Sequence, residues 1–212
     1  MRTVCIYVFD GVEVLDFAGP FEVFATAGRV VCRAQAGAEP PFQVLTVGAS
    51  PRPVTARGGL VVQPHWSFAD HPHIDVLVVP GGVVTEELER PRVIAWVAAR
   101  AATAEVTAGV GTGAFLLARA GLLKGKAATT HWEDLAQLRV KAPGTRLVQG
   151  VRWVEDGAVV TSAGVAAGLD MSLHLVARLA GHELAVRTAR QMEYAWRDQR
   201  RGAAATPADP KA

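Results

Sequence analysis

The chain has 212 residues, with 22 Lys and Arg against 20 Asp and Glu, for a formal net charge of +2. At roughly 150 residues per domain this is one domain, two at most, and a core of that size needs no disulfide or metal staple. An apolar fraction of 50% excludes a disordered or collagen-like chain. The near-neutral charge argues against a phosphate-binding face, so no nucleic-acid partner is expected.

In chain order, Val4 to Phe9 is a continuous apolar run followed by Asp10-Gly11, which predicts a strand buried on both faces and closed by a turn. The run is too short for a signal peptide, and Asp10, Glu13 and Asp16 put charges directly behind it. Gly19-Pro20 opens a predicted helix carrying Phe21, Phe24 and Ala25 at helical spacing. Val44 to Val47 and Ile74 to Val79 read as strands, the second stopped by Pro80-Gly81-Gly82. Glu86 to Ala102 reads as a helix that Pro91 cuts or restarts. Glu105 to Ala108 is a short strand, Gly109 to Gly113 a tight turn, and Ala114 to Ala120 a helix. A strand at Ala127 to Thr130 and a helix at Trp132 to Val140 come next. Val151 to Val154 and Ala158 to Thr161 flank an Asp156-Gly157 hairpin turn. Ala166 to Leu179 and Glu183 to Arg200 are the last helices, and 201–212 is read as a disordered tail behind a single domain spanning 1–200.

Strands alternating with helices predict an α/β fold, a flavodoxin-like three-layer sandwich with a mostly parallel sheet and an added hairpin. No apolar run approaches the ~20 residues needed to cross a bilayer, so a cytoplasmic protein without a membrane partner is expected. Cys5 and Cys32 fit no metal or disulfide spacing and read as small buried hydrophobes. Trp66, Trp96, Trp153 and Trp196 read as packing residues. Arg187, Arg190, Arg197, Arg200 and Arg201 recur as one solvated face of the last helix.

Ligands of open α/β sheets bind at the carboxyl ends of the strands, where Pro80-Gly81-Gly82 and Gly109 to Gly113 lie. The second is a sharp strand–turn–helix shaped like a nucleophile elbow, with glycine at its centre. Two readings compete with it. Gly109-Val110-Gly111-Thr112-Gly113-Ala114 matches a dinucleotide fingerprint, with Glu133 and Asp134 about 20 residues on. Alternatively, the glycines only make the turn.

Gly111 to Ala118 together with Ala120 to Trp132 resembles the elbow of the ThiJ/PfpI superfamily, whose fold is class I glutamine-amidotransferase-like. Asp10 to Val23, Ser67 to Asp70, Asp75 to Gly82 and Ala163 to Asp170 extend the resemblance over roughly residues 3 to 196. Within the superfamily the pattern is most similar to isocyanide hydratases and to the amidase-like sensor domains of AraC-type regulators. No helix-turn-helix segment follows, which sets the chain apart from those full regulators.

The resemblance implies a nucleophilic cysteine where this chain has Gly111, and nothing nearby replaces it. Thr112 carries a hydroxyl one position along. It further implies Asp16 as the general acid/base, Gly81, Gly82 and Thr112 as the oxyanion-binding turn, and His131 as a residue facing the cleft. With cysteine at 111, the reaction would be thiolate attack on an isocyanide carbon, protonation through Asp16 and hydrolysis to an N-formamide. With glycine, thiol-dependent activity is expected to be absent. Gly111 fits either removal of the nucleophile from a cysteine-bearing parent or a natural relative without cysteine chemistry. A small-molecule-binding pseudoenzyme or sensor and an enzyme using Asp16 alone are the alternatives. No metal or cofactor is expected; a small-molecule ligand and a homodimer are.

Overall fold

Val4, Cys5, Ile6 and Tyr7 are fully buried, as a strand covered on both faces must be. They belong to β1 (Arg2–Tyr7), which pairs in parallel with β2 (Phe42–Gly48) on one side and β6 (Val76–Val79) on the other. Between β1 and β2 runs the long helix α1 (Val14–Ala34). The computed structural model describes residues 1–198.

Three short strands precede β6: β3 (Val54–Thr55) and β4 (Val61–Val62), which pair with each other, and β5 (Trp66–Ser67), which edges β2. After β6 come α2 (Thr85–Leu88) and α3 (Pro91–Ala101), then β7 (Val106–Val110) and α4 (Gly113–Arg119). The chain continues through β8 (Ala127–Ala128), α5 (Leu135–Lys141), β9 (Arg146–Leu147), β10 (Trp153–Asp156) and β11 (Val159–Ser162). It closes with α6 (Ala167–Ala180) and α7 (His182–Gln191).

The main sheet has the order β10-β11-β7-β6-β1-β2-β5 and is parallel except for the β10–β11 hairpin. Helices α1, α6 and α7 pack as one group, and α2, α3, α4 and α5 as another. This is the flavodoxin-like α/β arrangement the alternating pattern predicts. The core runs through both layers, with Phe24 edge-on to Phe42 and Trp96 stacked on Phe68 at 4.2 Å.

Several boundaries differ from the sequence reading. The first helix starts at Val14 and carries Pro20 inside it rather than at its opening. Pro20 there removes the donor that another residue would offer the Asp16 carbonyl. The helix expected over 86–102 is broken into α2 and α3, and Pro91 takes the first turn of the second. Gly109 lies in β7, not in the turn. The strand expected at 127–130 shortens to β8, which leaves the main sheet to pair with β9. The helix expected from Trp132 begins with a 3-10 turn over Trp132–Asp134.

The last helix ends at Gln191, and Arg197 beyond it donates its backbone N–H to Asp170. The single basic face is therefore interrupted, and Arg200, Arg201 and the tail 201–212 lie outside the described residues. Cys5 is buried, but Cys32 is exposed. Trp96 and Trp153 pack into the core, whereas Trp66 is 42% exposed on the edge strand. Among the described residues no helix is long and apolar enough to cross a membrane.

Candidate functional site

Strands β1, β6 and β7 are neighbours, so the loops at their carboxyl ends meet. Backbone bonds stitch them together. Glu13 N–H donates to the Gly81 carbonyl at 2.9 Å, and Val83 N–H donates to the Gly11 carbonyl at 2.9 Å. Gly82 passes so close to the first loop that a Cβ there would lie 2.3 Å from the Gly11 oxygen, and its φ is +134°. Only glycine fits such an approach.

The turn after β7 has the elbow form. Gly111 has φ +52°, in the left-handed region. Its N–H donates to the Ser162 carbonyl at 3.1 Å, and its carbonyl accepts the Thr130 hydroxyl at 2.8 Å. A Cβ on Gly111 would lie 3.0 Å from Asp16 Oδ2. The elbow thus points at the carboxyl group that the sequence pairs with it, but offers no side chain to react.

Asp16 comes from the first turn of α1 and is only 3% exposed. Oδ2 accepts the Gly81 N–H at 3.1 Å, and Oδ1 has no partner. Burial pushes its pKa up to about 7, against the Gly81 N–H that pulls it down; Glu13 adds to the rise and Arg57 opposes it.

Thr112 joins the two glycine turns. Its hydroxyl oxygen accepts the Gly82 N–H at 2.9 Å and donates to the Gly82 carbonyl at 2.9 Å. The N–H groups of Gly81 and Gly82, read from the sequence as part of an oxyanion-binding turn, are thus engaged within the protein by Asp16 and Thr112.

Asp16, Gly82, Gly111, Thr112 and His131 line one cleft of about 230 Å³, with Gly81 packed behind it. The cleft is completed by Glu13, Arg57, Glu133, Asp134, Gly164 and Val165, of which the sequence tied only Glu133 and Asp134 to the glycine turn, through the dinucleotide pattern. Arg57 pairs with Glu13 at 3.1 Å across the mouth. His131 Nδ1 caps the 3-10 turn by accepting the Glu133 N–H at 3.4 Å, and Glu133 and Asp134 carboxylate oxygens stand 3.6 and 3.7 Å away. Glu133 and Asp134, the acidic pair of the dinucleotide pattern, thus sit at this cleft beside His131. Trp132, 73% exposed, stands beside His131 with ring centres 5.6 Å apart. The signal for Glu13 was its place in the first loop–helix match. Arg57 had none, because it enters from the short β3–β4 excursion.

A parallel sheet with an elbow after a central strand, a buried carboxyl facing it and a stitched glycine turn define an α/β protein with a cleft at the carboxyl ends of its strands. The chain belongs to the DJ-1/PfpI family, which it matches over residues 2–178. It is 36% identical over 191 residues to an isonitrile hydratase of Pseudomonas putida, covering 89% of this chain and 76% of that protein. It is 32% identical over 139 residues to the HTH-type transcriptional regulator CdhR of Pseudomonas aeruginosa, covering 66% of this chain and 41% of the regulator. Among solved structures it resembles a ThiJ/PfpI family protein from Pseudomonas syringae, with a TM-score of 0.80, 30% identity and coverage of 93% and 76% of the two chains.

Proposed function

We propose that this chain keeps the cleft of an isonitrile-hydratase-like protein, binds a small polar molecule there without forming a covalent bond, and performs no thiolate addition. The observation that carries the reading is the elbow itself. Gly111 holds the backbone in the left-handed turn 3.0 Å from Asp16, counted from where a Cβ would begin, yet presents no nucleophile. A thiolate is what adds to an electrophilic carbon in such chemistry. Cys5 lies buried in β1, where burial pushes its thiol far up, and Cys32 sits in the last turns of α1; neither lines the cleft.

A ligand that binds only the folded state raises its melting temperature. Short alkyl isonitriles and N-alkylformamides should therefore shift Tm upward while being recovered unchanged. Gly111→Ala, which narrows the space beside Asp16 by one methyl, should reduce the shift. Recovery of formamide from isonitrile by the unaltered chain would overturn the reading.

A second reading is favoured by the pKa of Asp16. A carboxyl near pH 7 is poised to take and return a proton, which suits acid/base chemistry on another substrate. Its signature is a pH–rate profile that vanishes in Asp16→Asn. Assembly as a homodimer belongs to the same family-based reading and is checked by light scattering on the purified chain.

A further inference from the structure

The cleft walls are acidic. Glu13, Asp16, Glu133 and Asp134 face it, against Arg57, already paired with Glu13, and His131. In the Gly81-Gly82 turn the backbone donors that would favour an anion are engaged within the protein, Gly81 N–H by Asp16 and Gly82 N–H by the Thr112 hydroxyl. Asp16 adds an independent observation. It is 97% buried by its 3% exposure, it forms one wall of the cleft, and its Oδ1 has no partner. An ionised carboxylate offers about four acceptor sites, and here one hydrogen bond is made. The space directly above Gly111 begins 3.0 Å from Oδ2, which accepts one bond from Gly81 N–H, and a donor seated there would meet the remaining acceptor capacity of that oxygen.

We propose that the ligand of this cleft is a small protonated amine, its ammonium group seated over Gly111 in the space a side chain would fill and donating to the Asp16 carboxylate. The inference rests on the non-covalent reading of the site and specifies its ligand class. Size agrees with it: about 230 Å³ falls below the ~300 Å³ at which drug-sized pockets begin, so the ligand has few heavy atoms. Glu133 and Asp134 supply negative potential on the approach. An ammonium brings several donors, whereas a carboxylate ligand would meet like charge and no uncommitted glycine N–H in the Gly81-Gly82 turn.

The test is isothermal titration of the full chain at pH 8 with methylammonium, ethylammonium and benzylammonium chloride. N-methylformamide and sodium acetate serve as uncharged and anionic comparators. At least one amine is expected to bind ten-fold or more tightly than N-methylformamide, with acetate silent. Asp16→Asn should weaken that amine at least ten-fold. Gly111→Ala should abolish its binding while circular dichroism shows the fold retained, so the result does not hang on one variant. Affinity should fall about ten-fold from pH 8 to pH 6 as Asp16 takes a proton. The other charged groups facing it are Glu13, Arg57, His131, Glu133 and Asp134, so this slope must flatten in Asp16→Asn to count in favour. Binding of N-methylformamide or acetate with no amine binding would overturn the amine assignment and leave the small-molecule reading standing. Silence from all five compounds would overturn the amine assignment too, with the isonitrile thermal shift then judging the broader reading. Amine binding unchanged in both variants would place the amine elsewhere and overturn the site.

Discussion

Asp16, the buried carboxyl group facing the elbow, carries a cost to the fold. Its folded-state pKa of about 7 lies above its ordinary value of 3.8 because burial penalises the charged form. Between those values the folded chain holds a proton that the unfolded chain releases. Stability therefore falls as pH rises from about 4 to about 7 and is level above that. Three pH units of such linkage are worth up to about 4 kcal/mol. Asp16→Asn keeps an acceptor for the Gly81 N–H without the charge. It should be more stable than the unaltered chain at pH 8, by up to about 4 kcal/mol, and nearly equal to it at pH 4. Urea unfolding at the two pH values measures this, and equal stability at pH 8 would contradict it. The place of Asp16 beside the elbow was legible in the sequence through the Asp10 to Val23 match. The closure of the Gly81 and Gly82 N–H groups was not, since it depends on where the Thr112 hydroxyl and the Asp16 carboxyl point.

At the scale of elements, the site depends on how tightly the turn after β7 fits the end of β6. A Cβ on Gly113 would lie 2.0 Å from the Val79 carbonyl oxygen, and one on Gly109 would lie 2.9 Å from Leu117 Cδ1. Gly113→Ala must push strand and helix apart and should destabilise by about 3 kcal/mol. Gly121→Ala, with nothing within 4 Å but φ +80°, should cost only about 1 kcal/mol. Thermal unfolding of the two variants separates contact from backbone strain. Thr112→Val removes both hydroxyl bonds to Gly82, and leaving those groups unpaired should cost about 2 kcal/mol in the same assay.

The run of glycines from Gly109 to Gly113 marks this turn in the sequence, because a strand meeting a helix so abruptly needs residues without side chains. The β3–β4 excursion is silent there. Two-residue strands carry no period for a hydrophobic pattern to reveal, so Arg57 comes to the cleft unannounced. The helix start at Val14 was misplaced for a different reason. Gly19-Pro20 looks like an opening, but the packing of α1 against β2, α6 and α7 holds the helix together through Pro20.

For the whole molecule, the parallel sheet was readable because doubly covered strands are apolar throughout, and Val4 to Tyr7 and Val76 to Val79 are buried as their composition demands. The switch of strand order around β1 places the cleft where an open sheet puts its ligands. Phe24, buried against Phe42 at 5.0 Å, ties α1 to that sheet, and Phe24→Ala should cost about 3–5 kcal/mol. Calorimetry would show the loss as a lowered Tm. The central claim is that family architecture persists here without the family's thiol chemistry. Its most direct test is the rate of formamide formation from an alkyl isonitrile, measured in parallel for the unaltered chain and for Gly111→Cys. The account predicts no rate above buffer for the unaltered chain and a measurable rate for Gly111→Cys, whose side chain would start 3.0 Å from Asp16 Oδ2. Hydration by the unaltered chain, lost in Asp16→Asn, would contradict it.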